Sequence, residues 1–204
     1  MIAIIDYNMG NLRSVNKAFK RVGIDARVTS DLNVIRSANR LILPGVGHFD
    51  RGMFELKERG LIDVIYEQVI HNAKPILGIC LGMQLMTEFS EEGNLDGLKL
   101  VKAQTKKFEL ENQGLKIPHI GWNTLDVNTG SKLLKSVLID SFFYFVHSYY
   151  VKSNSNDLLC SETQYGHSMV SSFEKENIFG VQFHPEKSHQ QGLELLQNFA
   201  TLDV

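Results

Sequence analysis

The sequence predicts an α/β protein in three layers, a central mixed but mostly parallel sheet between helices, with antiparallel hairpins added at one edge. Three observations lead there. Strand and helix signals alternate through the first half, as they do in a parallel sheet wrapped by helices on both faces. From 97 to 180 the pattern changes to short strands separated by turn residues, which suits hairpins. A last strand and helix then close the fold. No repeat or low-complexity tract divides the 204 residues, so one domain over 1–204 is expected.

The elements follow in order. Residues 2–6 are an apolar run read as a first buried strand. The turn at Asn8, Met9, Gly10 and Asn11 opens a helix over 12–22, with Val15, Ala18, Phe19 and Val22 at helical spacing. Short strands follow at 26–29 and 40–43, the second closed by Pro44 and Gly45. A helix is expected over 49–72, a strand over 74–79 and a helix over 81–89. Turns at 112–114 and 128–130 punctuate the hairpin half, and a strand over 178–183 and a helix over 190–202 end the chain.

Composition excludes several function classes. The chain is 43% apolar and 22% charged, ordinary for a globular core, and its net charge is −2. Lys and Arg are scattered, so neither nucleic acid nor an acidic membrane surface is the expected partner. No run approaches the roughly 20 apolar residues of a membrane span, and the apolar start lacks a basic lead. A cytoplasmic protein is expected, with Cys80 and Cys160 unpaired. No Cys/His spacing resembles a metal site, and no cofactor is implied.

The most informative segment is Gly78-Ile79-Cys80-Leu81-Gly82, where an apolar strand turns directly into a helix. Gly-x-Cys-x-Gly in that setting is a nucleophile elbow with cysteine in the nucleophile position. The turn is so tight that side chains two residues either side of the cysteine would collide. The following helix would favour the thiolate. The competing reading makes Cys80 a small buried apolar residue.

A thiolate nucleophile needs a base and a group that fixes the base. In Phe183-His184-Pro185-Glu186, His184 ends an apolar strand, where catalytic groups gather in parallel sheets. Pro185 keeps the backbone extended, so His184 and Glu186 share a side and the carboxylate can hold the ring. Otherwise His184 is a strand-end residue and Glu186 a helix-start acid. His71, His167 and His189 read as surface groups, while His48, His119 and His147 adjoin turns that could border a site.

Pro44-Gly45-Val46-Gly47, Gly78 to Gln84 and Phe183 to Glu186 together resemble the signature of class I (triad) glutamine amidotransferases. Within that family, 6–11, 118–123, 146–150 and 184–188 resemble the glutaminase subunits of imidazole glycerol phosphate synthase, and the similarity spans nearly the whole chain. The resemblance implies that Cys80 attacks the glutamine carboxamide while His184, oriented by Glu186, moves protons. It implies oxyanion donors from Leu81 and from Gly45-Val46-Gly47, and glutamine contacts from Gln84, His147, Ser148 and Tyr149. It also implies a 1:1 partner, a (β/α)8-barrel cyclase of histidine biosynthesis, meeting Asn11, Trp122, Asn123 and Lys187. His48 stands where a small residue is usual. Lys187-Ser188-His189-Gln190 is similar to a branch whose ammonia goes to an amino-sugar synthetase of surface-polysaccharide biosynthesis, so both partners stay open. A cysteine peptidase with the same triad is the reading from another class.

Overall fold

The computed structural model describes residues 1–110, 114–128, 130–138, 140–153 and 158–203. The two turn signals at 112–114 and 128–130 include positions outside these residues. In chain order the first elements are β1 (Ile2–Ile5), α1 (Leu12–Arg21), β2 (Ala26–Thr29), α2 (Leu32–Ser37) and β3 (Arg40–Gly45). Then come α3 (Phe49–Glu58), α4 (Leu61–Tyr66), a π turn at Glu67–His71, β4 (Ile76–Cys80) and α5 (Leu81–Leu85). The antiparallel half holds β5 (Phe89–Ser90), β6 (Leu95–Asp96), β7 (Gln104–Lys107), β8 (His119–Thr124) and β9 (Asp126–Val127). It continues through β10 (Phe142–His147), β11 (Tyr149–Lys152), β12 (Leu159–Tyr165) and β13 (His167–Lys175). β14 (Ile178–Val181), a 3-10 turn at Pro185–Lys187 and α6 (His189–Thr201) finish the fold.

The main sheet runs β2-β1-β3-β4-β14 in parallel, then continues antiparallel through β13, β11 and β7. Every residue of β1, β4 and β14 is buried, because helices cover both faces. Alternation along β1 sends Ala3 and Ile5 into one core and Ile2 and Ile4 into the other. The expected α/β/α layering is therefore present.

The structure departs from the expected elements in four places. The single helix over 49–72 is interrupted at Gly60, whose left-handed backbone (φ 62°) ends one helix and starts the next. α2 was not expected; Asp31 caps it by accepting from the N–H groups of Asn33 and Val34. α5 is only five residues long, because the Thr87 hydroxyl takes the Gln84 carbonyl at 2.8 Å and the chain turns into β5. Finally, β8 and β10 do not extend the sheet edge. They pair only with each other, as a two-stranded ribbon. His184 N–H donates to Tyr144 O of β10 at 2.9 Å, so the ribbon crosses the carboxyl end of the parallel strands.

Candidate active site

β4 delivers Cys80 to the first turn of α5 with φ 53° and ψ −109°. A non-glycine residue at positive φ costs on the order of 1–3 kcal/mol and persists only where its surroundings impose it. Here the surroundings are specific. A Cβ on Gly82 would lie 1.7 Å from the Leu43 carbonyl oxygen, and one on Gly78 would lie 2.7 Å from the Met83 nitrogen. The two glycines let β3, β4 and α5 close around the turn. With five residues α5 carries a small dipole, so the strongest positive charge available to the sulfur is a side chain.

That side chain is His184, just beyond β14. Its Nδ1 donates to Glu186 Oε1 at 2.9 Å, and both side chains are buried. Ser188, not anticipated from sequence, fixes this turn: its Oγ donates to His184 O at 2.6 Å and accepts from Tyr144 N–H at 3.1 Å. The other ring nitrogen, Nε2, is buried and makes no hydrogen bond of normal geometry. It is nonetheless close enough to Cys80 for charge and a loose hydrogen bond to act between them. Burial is the largest single influence on the ring and works against its charged form. Cys80 and Glu186 outweigh it together and raise the pKa to about 10. The arrangement favours the charged form of the His184 ring.

Cys80 opens onto a cleft of about 390 Å³. Val46, Gly47, Leu81, Gln84, His147, Ser148 and Tyr149 line it. Gly45 lies beneath, paired in register with Cys80. A Cβ there would meet the Tyr7 hydroxyl at 2.5 Å, and that hydroxyl is buried without a hydrogen bond. Burial, and then the charge of Cys80, pushes the Tyr7 pKa upward. Gln84 is 4% exposed, so the surface-helix alternative for it is overturned.

Four further lining residues, His48, Glu92, Pro118 and Val146, were not singled out as substrate contacts. Burial raises the Glu92 pKa against the opposing pull of the Phe49 N–H and His48. A single acid in a turn carries no sequence signal of that placement. His147 is held neutral. Its Nδ1 donates to Tyr149 O at 2.8 Å and its Nε2 meets His119 Nδ1 at 3.0 Å. Burial carries the pKa of His147 down to about 3 and that of His119 to about 4.

The four residues expected at a partner surface separate into two groups. Trp122 is 44% exposed on the outer face of the ribbon, stacked on His189 at 4.7 Å. Lys187 Nζ lies 5.2 Å over the Tyr144 ring beside it. Asn11 instead caps α1 by accepting from Ser14 N–H. Asn123 turns to the other face and donates to Gln164 O of β12. His167, read as a surface group, is half-buried against the Tyr150 ring. Both cysteines are free, and burial together with Glu174 pushes Cys160 up to about 12. Among the described residues no His/Cys/Asp/Glu group could hold a metal ion, and no helix is long and apolar enough to cross a membrane.

The glutamine amidotransferase class-I family matches residues 3–202. The chain belongs to that family. Among its relatives, the imidazole glycerol phosphate synthase subunit HisH 2 of Methanococcus maripaludis is 50% identical over 199 residues, covering 98% of both chains. Subunit HisH 1 of Campylobacter jejuni is 48% identical over 99% of this chain and 100% of its own. Solved structures share the fold at low identity. A crystal structure described as a glutamine amidotransferase aligns with a TM-score of 0.76 at 17% identity, over 98% of this chain and 99% of its own. PurLQS from Thermotoga maritima aligns at 0.73 and 17%, over 97% and 96%. The amidotransferase fold thus frames the cleft described above.

Proposed function

We propose that residues 1–204 act as one glutaminase domain, the glutaminase subunit of an imidazole glycerol phosphate synthase working in the cytoplasm. The observation that carries this reading is the strained Cys80 turn, open to a cleft and set beside the buried His184–Glu186 pair. In the proposed reaction the Cys80 thiolate attacks the glutamine carboxamide carbon, and the carbonyl electrons move onto oxygen. Backbone N–H groups of Leu81 and of the Gly45-Val46-Gly47 strand hold that oxyanion. His184 gives its proton to the nitrogen, ammonia leaves and a γ-glutamyl thioester remains. Water, deprotonated by His184, then releases glutamate and restores Cys80.

Gln84, His147, Ser148 and Tyr149 give the glutamine its polar contacts. Glu92 is suited by charge to its α-ammonium group. A peptidase would need room for chain on both sides of the scissile bond, whereas this cleft suits one amino acid. Ammonia passes to a (β/α)8-barrel cyclase, in a 1:1 complex that makes imidazole glycerol phosphate and AICAR for histidine biosynthesis. Trp122 and Lys187 are the proposed anchors on the ribbon's outer face, and the half-buried Asn11 and Asn123, already bonded within the chain, are the lesser contacts.

A second reading has its own support. The segment 187–190, similar to the amino-sugar branch, lies at this same outer face through Lys187 over Tyr144 and His189 on Trp122. There the partner would be an amino-sugar synthetase. Mixing the purified chain with each partner and measuring glutamine turnover decides between them. The histidine-pathway reading expects complex formation and stimulation with the cyclase; response to the synthetase alone overturns it. In either complex, Cys80→Ala abolishes glutamine-dependent synthesis and leaves ammonia-dependent synthesis intact.

A further inference from the structure

We propose that Gln182 is a further catalytic residue of this site, whose carboxamide donates an N–H to the Cys80 sulfur and stabilises the thiolate. The inference deepens the glutaminase reading and depends on it only for what the thiolate attacks.

The direction of the bond follows from the atoms around it. Tyr149 O is a carbonyl and can only accept. Gln84 Nε2 donates to it at 2.9 Å, beside the His147 donor to the same oxygen. With the Gln84 amide so fixed, its second N–H reaches Gln182 Oε1 at 3.0 Å. Gln182 therefore turns its NH2 the other way, where Cys80 Sγ lies 3.7 Å off. Reversing Gln84 would set its oxygen against Tyr149 O, and reversing Gln182 would set its NH2 against the Gln84 NH2 and its oxygen against the sulfur. Gln182 is fully buried, so no bulk water competes for its N–H.

The sulfur has a second polar neighbour of opposite effect. Val146 O lies 3.8 Å from Sγ and can accept only from the neutral thiol. The carbonyl thus favours S–H, and the Gln182 amide favours S⁻. When the thiol ionises, its proton passes to His184 Nε2 and the electron pair stays on sulfur; Gln182 makes and breaks no covalent bond. Gln182, His184 and Glu186 follow β14 at intervals of two residues, so one strand exit supplies the thiolate donor, the base and the base's carboxylate. The other titratable groups around the sulfur are Tyr7 after β1, His147 from β10 and Glu92 across the cleft. None of them is altered in the test.

The test is the rate of Cys80 alkylation by iodoacetamide against pH in the full chain, with the modified peptide identified by mass. Gln182→Met keeps the side-chain length and removes the donor; the pH of half-maximal reactivity should rise by about one unit. Gln182→Glu keeps the shape and sets a carboxylate against the thiolate, so its rise should be larger. A residue that only packs leaves the Met profile on that of wild type, whereas the carboxylate of Glu raises the value whatever the native amide does. Coincident Met and wild-type profiles would overturn the proposal. If the Met variant does not fold, Gln182→Leu against wild type carries the same decision. Glutamine is absent from this assay. A wild-type chain that never turns over glutamine would defeat the glutaminase reading and leave the shift to be judged by itself.

Discussion

The exit of β14 and the β8–β10 ribbon meet at one cleft, yet they treat histidine in opposite ways. His184 sits between Cys80 and Glu186, and its pKa is raised to about 10. His147 and His119 bond to each other and to a backbone carbonyl, and burial lowers them to about 3 and 4. All three rings are buried, so burial alone does not set the outcome. What differs is the neighbour. Cys80 and Glu186 stand beside His184 and raise it, whereas His147 faces a carbonyl and another imidazole. The parallel half therefore supplies a charged, reactive floor, and the ribbon supplies a neutral wall with fixed donors.

The largest effect should come from breaking the floor itself. Gly82→Ala places a methyl group against the Leu43 carbonyl, which is backbone and cannot swing aside. The loss should exceed about 4 kcal/mol, the range of the most damaging single substitutions. Denaturant unfolding checks it, and a variant within about 1 kcal/mol of wild type would show that the turn is looser than described.

This part of the molecule was also the most legible in sequence. The glycine frame around Cys80 and the 184–186 spacing depend on local sterics and on period-two alternation, which neighbouring letters encode. The ribbon was not legible in the same way. His119 and His147 are 28 residues apart, and only strand pairing sets them opposite each other. Whether those strands would join the sheet edge or stand over the cleft is decided by contacts such as Ser188 to Tyr144 N–H, which no periodicity announces. Tyr7 and Glu92 were missed for the same reason: nothing beside them in sequence marks their place at the cleft. The length of α5 was misjudged because apolar spacing continues through Met86, while the Thr87 hydroxyl ends the helix.

Next in size is chemistry on the floor. His184→Asn should lower glutamine turnover by on the order of 10⁴-fold or more, since base and nucleophile act as a unit. Glu186→Gln keeps an acceptor for Nδ1–H but removes the charge. Its loss should be smaller by about one to two powers of ten. Equal losses in steady-state turnover would mean that Glu186 does more than orient and charge the ring.

On the wall, His119→Phe keeps the aromatic stack on Tyr165 and Phe145 and removes the donor to His147 Nε2. A buried acceptor without a partner costs about 1–3 kcal/mol. Thermal unfolding should register that loss. Glutamine KM should rise more than kcat falls if His147 contacts glutamine as proposed, since it lines the cleft and holds no proton of the Cys80–His184 pair. An effect on kcat alone would place the pair in the reaction itself.

The smallest effect, per unit of pH, tests both halves in one curve. His184 has a folded pKa of about 10 against roughly 6.5 unfolded, so its contribution is complete below about 6.5. It is lost as pH rises toward 10, with a slope of at most about 1.4 kcal/mol per pH unit. For His147 and His119 the folded values are depressed, so the sign reverses. The unfolded chain takes up their protons first, and stability falls as pH drops below about 6.5 toward 4 and 3. Stability against pH should therefore peak near the ordinary histidine pKa and decline on both sides for different reasons. The arms can be removed separately. Cys80→Ala takes away the leading anion beside His184 and should flatten the alkaline arm alone, while His119→Phe should weaken only the acid arm. If Cys80→Ala left the alkaline arm unchanged, the sulfur would not be what holds His184 charged, and the contrast between floor and wall would lose its cause.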